Sequence, residues 1–204
     1  MIGCCESGGR PMGEVWKINL ASWIIQDGNY GDFAKGDECE FALEFWPERL
    51  ELTERAQPCC TWVKDCYYSV TARIVMCQED VWVLNFGLLA YQESSPLKGL
   101  AIGDCVAGRI GIGIDPFFYS ERLHALPGMP PLNYSWKIER ILLQTAPFVE
   151  TTRPGTGKVL VRDESNRGYR DIGKTDAWHD DGGIAEYLLE CRHNEITPAQ
   201  RTLA

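Results

Sequence analysis

The sequence predicts a mainly β protein, an antiparallel β-barrel or sandwich, with one short helix at about residues 116–126. The prediction depends first on several runs in which apolar and polar residues alternate, as they do in half-buried strands. It depends also on the short polar connections between these runs, which are typical of hairpins. Only one stretch carries clear signals for both the start and the end of a helix. A small barrel similar to the oligonucleotide-binding barrels is one form that such a fold can take.

The first two strands are predicted from alternation with a period of two residues. In EVWKINLASWII (residues 14–25), Trp16, Ile18 and Leu20 share one face. The second strand is predicted at DECEFALEFW (residues 37–46). Its apolar face holds Cys39, Phe41, Leu43 and Phe45, and its solvated face holds Glu38, Glu40, Ala42 and Glu44. We therefore expect each strand to cover a core with one face and to meet water with the other.

The next segment predicts a hairpin and then a bent strand. YSVTARIVM (residues 68–76) alternates, and the polar connection CQED (residues 77–80) separates it from the apolar run VWVLNFGLLAY (residues 81–91). In DCVAGRIGIGIDP (residues 104–116), Gly111 and Gly113 lie opposite the isoleucines, so another part of the chain can approach closely there. Over this single strand the sequence resembles strands of oligonucleotide-binding barrels.

One helix and three more strands complete the predicted elements. In DPFFYSERLHALPG, Asp115 can cap a helix, Pro116 suits its first turn, and Pro127 with Gly128 ends it. The remaining strands are predicted at WKIERILLQ (136–144), whose middle could also be helical, KVLVRD (158–163) and AEYLLECR (185–192).

The organisation along the chain predicts one domain over residues 1–204. Residues 1–12 are expected to be a flexible N-terminus. Residues 150–184 are rich in Gly, Thr, Asp and Arg and poor in Leu and Ile, so we expect a loop-rich excursion with one short strand or hairpin. The chain is expected to return to the main sheet at residues 185–192.

Composition and charge disfavour several classes of function. Hydrophobic residues make up 45 % and charged residues 24 %, as in folded soluble proteins, and no apolar run is long enough for a signal peptide or a membrane span. We therefore expect a cytoplasmic protein without membrane association. The net charge of −9 disfavours binding to phosphate backbones. The nine cysteines include vicinal pairs, Cys4-Cys5 and Cys59-Cys60, but no CxxC spacing, so neither a zinc site nor another cofactor is expected.

The stretch AWHDDGG (residues 177–183) is the main candidate for chemistry. Asp176, His179 and Asp181 could bind a metal ion or transfer protons, but Asp and Gly also favour a solvated turn, and we predict the turn. A second group of candidates consists of aromatic and histidine side chains that could form a ligand or partner surface. It contains Trp46, Trp62, Tyr119, His124 and Trp178.

The functional expectation is a non-catalytic protein that binds or inhibits another macromolecule, most simply a protein, in the manner of an immunity or accessory protein. No stretch contains a nucleophile motif, and PGTGKV (residues 154–159) lacks the glycine and hydroxyl positions of a phosphate-binding loop. One alternative is an enzyme or a small-ligand or metal-binding protein that uses Asp176, His179 and Asp181. The other is an oligonucleotide-binding barrel.

Overall fold

The computed structural model describes residues 15–55, 57–153 and 157–193. Strands make up 54 % of the structure and helical segments 10 %, so the predicted mainly β class is confirmed. The strands are β1 (Val15–Ala21), β2 (Glu38–Phe41), β3 (Leu43–Leu52), β4 (Cys59–Lys64), β5 (Tyr67–Cys77), β6 (Trp82–Asn85), β7 (Leu89–Gln92), β8 (Cys105–Ile114), β9 (Tyr134–Thr145), β10 (Phe148–Arg153), β11 (Gly157–Arg162), β12 (Gly168–Ile172) and β13 (Glu186–His193). The helices are α1 (Ser22–Gln26) and α2 (Phe118–Glu121), and 3₁₀ turns occur at Leu123–Ala125, Glu164–Asn166 and Asp180–Gly183. Neither of these two helices has the length and apolar character needed to cross a bilayer.

Five strands close into a barrel. β8 pairs with β3 on one side and with β5 on the other, and β5, β6 and β7 continue the antiparallel order. A parallel bridge between Glu44 of β3 and Tyr91 of β7 closes the ring. The predicted barrel with a short helix is therefore confirmed, and the predicted hairpin is formed by β5 and β6.

The sheet continues beyond the barrel through five strands, and we call this part the second sheet: β1, β2, β9, β12 and β13. β13 lies between β1 and β9, while β2 pairs with the beginning of β9 and β12 pairs with its end. A parallel bridge between Asn19 and Gly113 joins β1 to β8. One hydrophobic cluster contains residues of both parts, such as Trp16 and Trp136 of the second sheet and Phe45 and Ile110 of the barrel. The two sheets thus share a core.

Three glycines of β8 lie where other parts of the chain approach this strand closely. A Cβ atom on Gly108, whose φ is +152°, would lie 1.9 Å from the carbonyl oxygen of Arg49. A Cβ atom on Gly111 would lie 2.2 Å from the indole of Trp46, which also covers Gly113. The close approach predicted at Gly111 and Gly113 is therefore made by the indole of Trp46, and a further close approach, by backbone, occurs at Gly108.

The predicted strand at residues 37–46 is two strands. Phe41, Leu43 and Phe45 are buried as expected, but the chain leaves the second sheet at Ala42 and enters the barrel at Leu43. The carbonyl of Ala42 accepts a hydrogen bond from the backbone N–H of Asp115 at 3.0 Å instead of a strand partner. Ala42 and Glu44 were expected on the solvated face, but Ala42 is buried and Glu44 is half-buried at the closure of the barrel.

Other predicted segments differ from the structure in extent. The run at residues 81–91 contains two strands, β6 and β7, joined by a turn, and the middle of residues 136–144 is strand rather than helix. The predicted helix is reduced to α2 and one 3₁₀ turn: the left-handed φ of +79° at Phe117 delays its start, and the non-helical φ of −146° at Arg122 separates α2 from the 3₁₀ turn. The N-cap position of α2 is occupied by Phe117 rather than by Asp115, but the Asp115 carboxylate accepts a hydrogen bond from the Tyr119 backbone N–H in the first turn. Helix α1 was not predicted.

The segment at residues 150–184 holds most of the β10–β11 hairpin, a 3₁₀ turn, β12 and a second turn that leads into β13. The predicted flexible N-terminus at residues 1–12, together with Cys4 and Cys5, lies outside the described residues.

Candidate functional site

Helix α1 and the turn at residues 176–185 are joined by hydrogen bonds from two side chains. Nε2 of Gln26 donates to the carbonyl oxygens of Ala177 at 2.7 Å and Gly183 at 2.8 Å. Oγ of Ser22 also donates to the Gly183 carbonyl, at 3.0 Å, and the Ser22 backbone N–H donates to Ala185 at 2.8 Å. These contacts fix the turn against the helix.

The local sequence makes this turn feasible because three successive residues adopt a left-handed backbone. The φ angles of Asp181, Gly182 and Gly183 are 51°, 68° and 83°. Glycine adopts this conformation without strain, and Asp tolerates it better than most residues. A Cβ atom on Gly183 would also approach the Trp178 carbonyl oxygen to 3.2 Å. AWHDDGG therefore forms the predicted turn.

Three large apolar side chains are exposed around this junction, and we call them the Trp178 surface: Trp23, Trp178 and Ile184. Their exposed fractions are 48 %, 64 % and 60 %. Trp23 lies one helical turn before Gln26, and the other two flank the segment that Gln26 contacts. Large apolar side chains exposed at one junction of a folded protein are a common mark of an interaction site. The backbone beneath this area is held by the hydrogen bonds described above.

Two members of the Trp178 surface were not among the predicted site residues. Trp23 is out of phase with the buried Trp16, Ile18 and Leu20, and this shift is the one sequence signal that could have identified it. Ile184 follows two glycines and carries no such signal, because its exposure depends on how the turn packs against α1.

The predicted metal-binding residues do not form one cluster. Nδ1 of His179 lies 2.8 Å from Oδ1 of Asp176, and this hydrogen bond lowers the pKa of the Asp176 carboxyl below its usual value. Asp181 instead forms an ion pair with Arg162 of β11. Within residues 15–55, 57–153 and 157–193, no group of three or more His, Cys, Asp or Glu side chains is arranged to hold a metal ion.

Asp180 makes hydrogen bonds that hold the turn in place and does not hydrogen-bond to the His179 ring. Its Oδ2 accepts hydrogen bonds from the Tyr187 hydroxyl and from the Asp176 backbone N–H, both at 3.0 Å. Burial, and then the Asp180 carboxylate, raises the pKa of Tyr187. Asp180 thereby ties the turn to β13.

Tyr119 lies in helix α2, and His124 lies in the 3₁₀ turn that follows it. Tyr119 is buried and its hydroxyl donates to the Pro130 carbonyl at 3.2 Å. Nδ1 of His124 lies 3.1 Å from the Tyr119 carbonyl oxygen, and the two rings are 6.3 Å apart. These contacts fix the connection between β8 and β9.

Trp46 and Trp62 lie near a polar cleft of about 400 Å³ between the barrel and the segment around β12. Trp46 packs edge-on against Tyr67, which lines the cleft. Trp62, on the exposed part of β4, donates from Nε1 to the Asp65 carbonyl at 2.9 Å, and Nζ of Lys17 lies 4.1 Å from the centre of its ring. The five aromatic and histidine candidates thus fall at three separate places.

The fold and its surfaces define a closed five-stranded β-barrel protein with an attached antiparallel sheet. Comparison of the chain with models of known protein families, with curated proteins and with solved structures finds no match.

Proposed function

We propose that this chain is a non-catalytic protein that binds another protein through the Trp178 surface. The observation that supports the proposal is the exposure of Trp23, Trp178 and Ile184 on a junction that is already ordered by Ser22 and Gln26. Tryptophan is enriched among the residues that dominate binding energy at interfaces. Because the backbone is fixed before binding, little conformational entropy has to be lost there.

The magnitudes are consistent with an anchor of this kind. Full burial of a large apolar side chain contributes about 1.5–3 kcal/mol. A stable interface usually buries about 1,200–2,000 Å² in total, so polar neighbours must form its rim. Asp176 and His179 are exposed and adjacent to Trp178, and they can supply part of that rim. The net charge of −9 favours rapid encounter with a basic partner.

The test is to capture a partner from the native host and to measure its affinity for purified variants. We expect Trp178→Ala to raise the dissociation constant by about tenfold or more, and Ile184→Ala to raise it to a smaller extent. Ile102→Ala is the matched control, because Ile102 is 65 % exposed on a different loop. A partner that binds Trp178→Ala and the control equally well would refute the proposal.

The two alternatives from the sequence give different results with the same preparations. A metal enzyme would contain stoichiometric metal that is lost in His179→Ala, whereas we expect no stoichiometric metal in either protein. An oligonucleotide-binding barrel would bind single strands at micromolar concentration with a steep salt dependence. Either result would contradict the proposed function and favour the corresponding alternative.

A further inference from the structure

We propose that the cleft between the barrel and β12 is a binding site for a small ligand that carries an oxyanion beside an aromatic ring. Lys64, Arg109 and Arg167 all line this cleft, together with the rings of Tyr67 and Tyr169. Charged side chains dominate this lining and the two tyrosine rings are its aromatic part, so the cleft suits a small charged ligand rather than an apolar one. The site shares no residue with the Trp178 surface.

The charge balance of the cleft is opposite to that of the whole chain. Its three cationic side chains face two carboxylates, Glu48 and Asp65, in a chain whose net charge is −9. Nε of Arg109 lies 2.7 Å from Glu48, and Nη1 of Arg167 lies 3.6 Å from Asp65. Lys64 makes no ion pair with another described residue. One positive charge is therefore left for an incoming anion.

Asp65 holds the two walls of the cleft in place. It occupies the two-residue turn between β4 and β5 with a left-handed φ of 46°. Its carboxylate accepts the Tyr169 hydroxyl of β12 at 2.8 Å, and its carbonyl accepts the Trp62 indole N–H. The turn is thus tied both to β4 and to the opposite wall. Such order before binding reduces the entropy lost when a ligand is bound.

Arg109 is held in a position that suits anion recognition. Its guanidinium lies over the Tyr67 ring, 4.9 Å from the ring centre, while its Nε contacts Glu48. A guanidinium has five N–H donors, so the donors beyond Nε can be directed to a ligand. Lys64, which is exposed, supplies a further positive charge at the same cleft.

The experiment uses phenyl phosphate and benzoate as probes and phenol as the uncharged control, with binding followed by NMR titration of the full chain. We expect both anions to shift resonances of residues that line the cleft, and phenol to shift none. The probe that binds more tightly shows whether phosphate or carboxylate is the preferred group. We expect Lys64→Gln to weaken its binding by about three- to fivefold, and added salt to weaken it further.

Two variants complete the test. Lys98→Gln removes an exposed lysine outside the cleft and is expected to bind like the wild type, and Trp178→Ala is expected to do the same. The proposal is overturned if phenol binds as well as the anions, if no cleft resonance shifts, or if Lys64→Gln and Lys98→Gln bind equally. Because Trp178→Ala changes a different surface, a negative result for ligand binding at the cleft would not contradict the proposed protein-binding function.

Discussion

At the scale of single residues, burial raises the pKa values of two acidic side chains near the bridge between β3 and β7 that closes the barrel, which we call the seam. Burial, followed by the charges of Asp115 and Glu93, raises the pKa of Glu44 to about 7. Burial also raises the pKa of Asp115, whose carboxylate accepts hydrogen bonds from the Tyr91 hydroxyl and the Tyr119 backbone N–H. Arg122 pairs with Glu93 nearby, so the cationic group at this seam is already engaged.

The raised pKa of Glu44 predicts a pH-dependent stability. Between about pH 4.5 and pH 7 the folded protein binds more protons at this site than the unfolded chain does. The contribution of Glu44 to the free energy of unfolding therefore falls as the pH rises through this window. Glu44→Gln removes the effect, and we expect this variant to be more stable than the wild type at pH 8, by roughly 3 kcal/mol.

Urea denaturation at pH 5, 6, 7 and 8 measures this difference. Glu40→Gln is the control, because Glu40 is exposed on β2 and should follow the wild type. Parallel stability curves for the wild type and Glu44→Gln would show that Glu44 titrates in the folded protein as it does in water.

A second prediction at this scale concerns Gly111, where a Cβ atom would collide with the Trp46 indole. We expect Gly111→Ala to reduce the free energy of unfolding by about 1–3 kcal/mol through overpacking. Gly31→Ala is the matched control, since no heavy atom lies within 4 Å of its ideal Cβ position. In a Trp46→Ala background the effect of Gly111→Ala should shrink, and an unchanged effect would exclude the collision as its cause.

At the scale of elements, Phe41 marks the point where the chain passes from the second sheet to the barrel. Its ring stacks on Trp136 at 5.4 Å and meets Phe33 edge-on at 6.4 Å. We expect Phe41→Ala to reduce the free energy of unfolding by about 3–5 kcal/mol, because it removes buried area and leaves a cavity. Glu40→Ala should have little effect on stability, and the melting temperatures of the two variants test this difference. Equal melting temperatures would place Phe41 outside the core.

The elements also show which features can be predicted from the sequence. Burial on one face of a strand is a local property, so alternation identified the buried faces at Trp16 and at Phe41. The partner of a strand is a non-local property, and alternation continues through Ala42 although the chain changes sheets there. The burial of Glu44 and the exposure of Trp23 depend on the same tertiary arrangement. For this reason the site residues were predicted less completely than the fold class.

At the scale of the whole molecule, few backbone pairings connect the barrel to the second sheet, whereas the side-chain core is continuous. The parallel bridge between Asn19 and Gly113 joins β1 to β8. The hydrophobic cluster, in contrast, includes Trp136 from the second sheet and Trp82 from the barrel. The Lys17 backbone N–H also donates to the hydroxyl of Tyr68, across the two parts, at 2.6 Å. We infer that side-chain packing, more than sheet pairing, holds the parts together.

A shared core predicts that the chain unfolds in one cooperative step. We expect the far-ultraviolet circular dichroism and the tryptophan fluorescence to give coincident urea transitions. Trp136→Phe, in the second sheet, should lower the midpoint reported by both probes, because the barrel loses a packing partner when that sheet loosens. Trp178→Phe, which changes an exposed indole, serves as its control and should leave both midpoints in place. Two separated transitions, with only one displaced by Trp136→Phe, would show that the barrel and the second sheet fold independently.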